Sequence, residues 1–255
     1  MKIKKAVITS AGKATRMRPI SHILPKGLLP IFRTFEGKKY SVPVIDVIMQ
    51  SLRAAGATDF CFIVRDKGHM FGDYLADKKI KYLQQNTPRG FGDAVLQAEK
   101  FTPKDPFFLH VDDDFMTGGY KEAAEVFDKT SADCILFLQK VQNPRIFGVV
   151  EADFYSNMSS HKVYKIKGIE EKPDVPKSNL AVCGVYLFSP RIFEKLKIVR
   201  TKTKKGTEFL LEDAIQMLIE EGTVYGIVLN KEEKWLVLGN PDNYYKTVRY
   251  SYEKL

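Results

Sequence analysis

Three consecutive aspartates, Asp112, Asp113 and Asp114, close the apolar run Phe107 to Val111. Adjacent carboxylates repel one another, and gathering them at the end of a strand favours a cation among them. Magnesium suits such a place because it takes carboxylate and phosphate oxygens and keeps several waters, so one or two Asp side chains suffice. If strand alternation persists, Asp113 faces one way and its two neighbours the other. An acidic turn capping the next helix is the competing reading of the same residues.

A second constellation is cationic. Ser10-Ala11-Gly12-Lys13-Ala14-Thr15-Arg16-Met17-Arg18-Pro19 follows the first apolar run, and Leu24-Pro25-Lys26-Gly27-Leu28-Leu29-Pro30 comes shortly after. Ala11, Gly12 and Ala14 are small enough to let backbone N–H groups approach phosphate oxygens, whose charge Arg16 and Lys26 can neutralise. No Gly-Lys-Ser/Thr follows, so this is not a Walker loop, and a simple basic turn is the alternative. Glu170-Glu171-Lys172-Pro173 offers acceptors for sugar hydroxyls and a cation for a phosphate, although alone it reads equally as an exposed turn. The four histidines form no pattern with a Ser or Cys nucleophile.

The elements that must position these groups alternate between β-branched runs and helical patterns through the first half, the form of a βαβ array with a parallel sheet. Strands are expected at Lys5 to Thr9, Phe60 to Val64, Ile80 to Leu83, Phe107 to Val111 and Cys134 to Gln139. Helices are expected at Val44 to Ala55 and around Asp93 to Lys100 and Tyr120 to Lys129. The charged loops then lie at the carboxyl ends of parallel strands, where open α/β sheets bind ligands. The second half reads as strands separated by polar turns, at Phe147 to Ala152, Val163 to Glu170 and Leu180 to Phe188, forming an antiparallel lobe over one edge. An amphipathic helix over Phe209 to Glu221, strands at Val224 to Leu229 and Trp235 to Leu238, and a closing helix capped by Asn240 and Pro241 complete the pattern.

With 255 residues, 44% hydrophobic and 28% charged, the chain is expected to be one globular domain, residues 1–255, with no linker dividing it. Its apolar runs are too short for a signal sequence or a membrane span, which points to a cytoplasmic protein with no membrane partner. Cys61, Cys134 and Cys183 are odd in number and each sits in an apolar run, so they are read as reduced core residues. The net charge of +9 suggests an anionic partner. Lys and Arg are spread along the chain apart from the groups Lys2 to Lys5, Lys78 to Lys81 and Lys202 to Lys205, and no nucleic-acid motif accompanies them.

Gly12-Lys13-Ala14-Thr15-Arg16-Met17-Arg18-Pro19 with Pro25-Lys26-Gly27-Leu28-Leu29-Pro30 resembles the signature of the sugar-nucleotide pyrophosphorylases, in particular the glucose-1-phosphate uridylyl- and thymidylyltransferases. The likeness runs almost to the C-terminus. It implies a Rossmann-like mixed, mainly parallel sheet flanked by helices, with residues 1–140 binding nucleotide and 141–255 binding sugar phosphate. It further implies that UTP, or dTTP, is joined to a sugar 1-phosphate, glucose 1-phosphate being favoured, with release of pyrophosphate and help from Mg2+. Arg16 and Lys26 would be the transition-state cations and Asp113 the metal ligand. Ala11, Gly12 and Thr15 would serve the triphosphate, and Gln85 and Gly90, in Tyr82-Leu83-Gln84-Gln85 and Gly90-Phe91-Gly92-Asp93, the pyrimidine. Gly148 and Glu170 would meet the hexose, Lys172 its phosphate, and Asn179 and Gly184 the pocket wall. A homo-oligomer is also a family expectation.

Two positions depart from that pattern. Ala14 stands where the family usually has a second Gly. Val237 stands where a second metal-binding Asp is usual, so Asp112, Asp114 or Asp242 substitutes, or Asp113 and phosphates hold the ion alone, or activity is lost. A catalytically silent nucleotide-sugar-binding regulatory protein is therefore one rival. Another is a sibling enzyme that uses GTP and mannose 1-phosphate.

Overall fold

The computed structural model describes residues 3–204 and 206–255. Along the chain, β1 (Lys5–Ser10) leads through one-turn 3-10 segments to the hairpin β2 (Pro30–Phe35) and β3 (Lys38–Pro43), then to α1 (Val44–Ala54), β4 (Asp59–Val64), α2 (Gly68–Leu75) and β5 (Lys81–Gln84). There follow α3 (Phe91–Gln97), β6 (Phe107–Val111), β7 (Asp114–Met116), α4 (Tyr120–Thr130) and β8 (Cys134–Lys140). The second half holds β9 (Gly148–Met158), β10 (His161–Glu171), β11 (Leu180–Phe188), α5 (Arg191–Lys202), α6 (Leu211–Glu220), β12 (Val224–Val228), β13 (Trp235–Val237) and α7 (Pro241–Lys254).

Nine strands form one mixed sheet in the order β5-β4-β1-β6-β11-β8-β12-β10-β9. The β5, β4, β1 and β6 strands are parallel, as are β8 and β12. Between these two groups β11 runs antiparallel to both β6 and β8, and β10 and β9 extend the far edge antiparallel. The expected antiparallel contribution of the second half is thus split: one strand enters the middle of the sheet and a long hairpin extends its edge.

Helices cover both faces, which is why the central strands are apolar throughout rather than alternating. In β1, Ala6 and Ile8 face a core with Val44, Ile48, Phe62, Phe71 and Phe108, under α1, α2 and α4. Val7 faces the other core, with Phe107, Leu109, Phe193, Phe209 and Ile215, under α3, α5 and α6. All three cysteines are free and buried in these layers. Asn240 caps α7 as its position before Pro241 predicts, its side-chain oxygen accepting from the Asn243 N–H at 2.9 Å. No helix among the described residues is long and apolar enough to cross a membrane.

Candidate active site

Parallel β1 and β6 end side by side, so the loop after Ser10 and the aspartates after Val111 emerge at the same edge. Asp112 turns inward. Its Oδ2 accepts from Ser10 Oγ and from the Gly27 N–H at 3.1 Å, and its own N–H reaches Thr9 O at 3.1 Å. An added Cβ on Gly27 would lie 3.2 Å from Asp112 Cβ and from the Phe71 ring, so a larger residue would crowd this contact. This tether brings the neighbouring Lys26 ammonium onto Asp113 Oδ2. Both side chains are mostly buried, at 15% and 19% exposed. Burial alone would lower the Lys26 pKa, but the carboxylates of Asp113, Asp112 and Asp114 outweigh it and hold the ammonium above its usual value.

Asp114 points away from Asp113 into a tight pocket. Its Oδ2 accepts from Trp235 Nε1 at 2.7 Å and from the Gly184 N–H at 3.3 Å, while Oδ1 is buried without a hydrogen bond among the described residues. Burial, then the nearby Asp113 charge, pushes its pKa up to about 7. The strand does not continue through the aspartates: β6 ends at Val111, Asp112 and Asp113 form the turn before β7, and each of the three carboxylates has a different set of partners.

A cavity of about 1060 Å3 opens in front of Lys26 and Asp113. Ala11, Gly12 and Lys13 line it on the β1 side, and Gln85 and Gly90 line it beyond β5. Gln85 is 3% exposed and its Nε2 donates to Asp93 Oδ2 at 2.8 Å and, more weakly, to Gly90 O at 3.4 Å. Gly90 sits at φ 132°, and a Cβ there would come within 2.5 Å of Phe209 O. Phe209 is clasped by this loop, its N–H donating to Arg89 O at 2.7 Å and its carbonyl accepting from the Gly92 N–H at 2.9 Å. Thr207, Glu208 and Phe209 consequently line the cavity, although their run into an amphipathic helix reads in the sequence as core packing. The helix begins only at Leu211, which leaves the preceding residues free to form a wall.

Arg16 and Thr15 are exposed and lie outside that lining. Arg16 still approaches the centre: a Cβ on Gly239 would be 3.4 Å from Asp113 Oδ2, 3.5 Å from Arg16 Nη2 and 3.8 Å from Val237 Cγ1. Val237 is thus an apolar neighbour of Asp113, and Asp242 is at the exposed start of α7. Ala14 adopts φ 48°, the left-handed region that favours glycine.

The second-half candidates separate: Gly184 meets Asp114, whereas Glu170 lies in another cleft and Asn179 is exposed. Gly184 packs against Asp114, and an added Cβ there would meet Val111 at 2.4 Å and Asp114 Oδ2 at 2.8 Å. Glu170 and Glu171 alternate across β10. Glu170 lines a separate cleft of about 200 Å3 with Glu151, Lys167 and Lys177. Glu171 faces Gly148, its Oε2 lying 3.1 Å from a Cβ placed there, and its Oε1 pairs with Lys172 Nζ at 2.7 Å. Burial, with Glu171 and Asp213 nearby, pushes the pKa of Glu212 up to about 7. Asn179 is exposed and accepts the Val141 N–H through its backbone carbonyl at 3.0 Å. Glu171 and Glu212 went unassigned by sequence reasoning, although the two-residue period of a strand separates Glu171 from Glu170. Of the basic groups, Lys5 and Lys81 lie over the Phe101 ring and Lys204 lines the cavity, while Lys2 and Lys205 fall outside the described residues.

The sequence profile of nucleotidyl transferases matches residues 5–253. The chain belongs to the nucleotidyl transferase family. Among relatives of this nucleotidyl transferase, a glucose-1-phosphate thymidylyltransferase of Streptomyces griseus is 33% identical over 86% of this chain and 58% of its own length. A UTP–glucose-1-phosphate uridylyltransferase of Staphylococcus saprophyticus is 27% identical over 88% of this chain and 85% of its own. The chain spans about three fifths of the length of the first curated relatives it matches. A solved UDP-glucose pyrophosphorylase complexed with UDP-glucose superposes with a TM-score of 0.85 at 24% identity, covering 99% of this chain and 100% of that one, so the fold is shared.

Proposed function

We propose that this nucleotidyl transferase joins a nucleoside triphosphate to a sugar 1-phosphate, with UTP favoured, dTTP next, and glucose 1-phosphate as the sugar. The observation that carries the reading is the Lys26–Asp113 pair on the wall of a cavity that also takes in Gly12 and Gln85. An oxygen of the sugar phosphate attacks the α-phosphorus, the bond to the β-phosphate oxygen breaks, and pyrophosphate leaves. The nucleophile is already anionic, so the chain needs no general base. It must hold two polyanions in line and neutralise the charge that develops on the leaving group. Lys26 and Arg16 do this beside the backbone of Ala11, Gly12 and Thr15.

At the base end, Gln85 Oε1 and the Gly90 N–H have no hydrogen-bond partner among the described residues, and together they complement the ring N–H and adjacent carbonyl of uracil or thymine. On the sugar side, Glu171 replaces Glu170 as the hydroxyl acceptor, with Lys172 on the phosphate and Gly148, Asn179 and Gly184 on the wall. Residues 1–140 and 141–255 then act as two halves of one unit. Consumption of a nucleoside triphosphate accords with a cytoplasmic setting.

Magnesium fits through Asp113 with phosphate oxygens. Asp112 and Asp114 are bonded elsewhere, and among the described residues no cluster of three or more His, Cys, Asp or Glu could hold an ion unaided. When bound it supplies positive charge to the phosphoryl oxygens.

Val237 beside Asp113, with Ala14 at a glycine-favouring angle, keeps a silent nucleotide-sugar sensor as the second reading. A matrix of UTP, dTTP, GTP and ATP against glucose and mannose 1-phosphates, read by pyrophosphate release, tests the assignment. Release with UTP or dTTP and glucose 1-phosphate is expected. Binding without release under any combination would favour the sensor, and preference for GTP with mannose 1-phosphate the sibling enzyme.

A further inference from the structure

Asp93 is 2% exposed, lies in the first turn of α3 and belongs to none of the groups assigned above to phosphate, sugar or metal. Its Oδ2 accepts from Gln85 Nε2 at 2.8 Å. Its Oδ1 makes no hydrogen bond among the described residues and has the Arg89 Nε at 3.7 Å. An amide side chain alone can sit in either of two orientations, exchanging a donor for an acceptor at the same place. A carboxylate removes that choice, because it only accepts. With Gly90 O also accepting from Nε2 at 3.4 Å, both amide hydrogens are committed and Oε1 is the polar atom left for a ligand.

We infer that Asp93 is a positioning residue that locks the Gln85 amide with its oxygen available to the cavity, and thereby selects nucleotides whose base presents a ring N–H. Uracil and thymine satisfy that oxygen, whereas cytosine presents a bare ring nitrogen and leaves two acceptors opposed. A site built around a buried hydrogen bond rejects the ligand that cannot complete it far more strongly than a site built on apolar contact. The inference rests on the proposed placement of the base at Gln85.

The test compares UTP with CTP for the wild type, Asp93→Asn, and the double variant Asp93→Asn with Gln85→Glu. Calorimetric binding and pyrophosphate release are measured side by side. In Asp93→Asn the introduced amide can donate as well as accept, so the Gln85 amide can turn over and the preference for UTP should fall by about tenfold or more. In the double variant the carboxylate introduced by Gln85→Glu accepts from that amide and still offers an oxygen to the base, so the preference should return. Unaltered melting temperature and unaltered affinity for glucose 1-phosphate would accompany both results. An Asp93→Asn ratio within about twofold of wild type, or equal weakening for both nucleotides, would overturn the inference; so would a wild type that does not distinguish them. If Asp93→Asn fails to fold, the double variant decides: a UTP preference near that of the wild type supports the lock, and its loss overturns it. A wild type that binds UTP selectively without releasing pyrophosphate would instead count against the proposed reaction and leave the role of Asp93 standing.

Discussion

The indole Nε1 of Trp235 donates to Asp114 Oδ2 at 2.7 Å, and the Trp235 ring packs on Phe147 with 5.0 Å between centroids. Trp235 is the chain's one tryptophan, so a single fluorophore bridges the aspartate cluster and the strand that begins at Gly148.

Asp114, raised to about 7 mainly by burial, should therefore be visible as a titration of Trp235 emission with a midpoint near 7. The sign of its effect on stability follows from linkage. The unfolded chain ionises this group near pH 4 while the folded chain keeps its proton until about 7, so stability falls as pH rises through that window. Asp114→Asn retains an acceptor for Trp235 and Gly184 but cannot ionise. Its melting temperature should decline less than that of the wild type between about pH 5 and 8, and parallel declines would contradict the assignment.

Ala14 at φ 48° carries a left-handed strain that glycine lacks. Allowing for the greater unfolded-state entropy of glycine, Ala14→Gly should stabilise the protein by up to about 1 kcal/mol in denaturant unfolding. A loss of stability would show that the Ala14 methyl makes contacts worth more than the strain.

Glu171→Gln should raise KM for the sugar phosphate about tenfold or more, through loss of a charge-assisted acceptor, while KM for the nucleotide stays near the wild-type value. Glu170→Gln, on the opposite face of β10 and lining the smaller cleft, should change neither. Steady-state kinetics with each substrate varied in turn distinguishes the two positions, and a reversed pattern would reject the proposed sugar side.

The first-half strands were legible because apolar runs buried on both faces leave a continuous signature, as in Phe60 to Val64. The β2–β3 hairpin was not, since Arg33, Lys38 and Lys39 dilute the apolar pattern and most of its residues are solvent-facing. Helices α2 and α5 also escaped: α2 contains two glycines, and more than half of α5, Arg191–Lys202, is charged or polar. Nothing local could have placed β11 between β6 and β8, because strand order is set by packing between distant segments. At the site, residue types singled out Lys26 and Asp113, which lie in contact, but the commitment of Asp112 to Gly27, and of Asp93 to Gln85, depends on contacts across 85 and 8 residues that spacing does not encode.

On this reading Lys26 neutralises phosphoryl charge directly, and Asp113, in contact with it, holds the magnesium ion that does the same. Pyrophosphate release by Lys26→Ala and Asp113→Ala, with UTP and glucose 1-phosphate at saturation, decides whether they do. Each variant should melt close to the wild type and turn over about a hundredfold more slowly, the expected loss on removing one preorganised charge stabiliser. Turnover within about threefold of wild type in either variant would contradict that role.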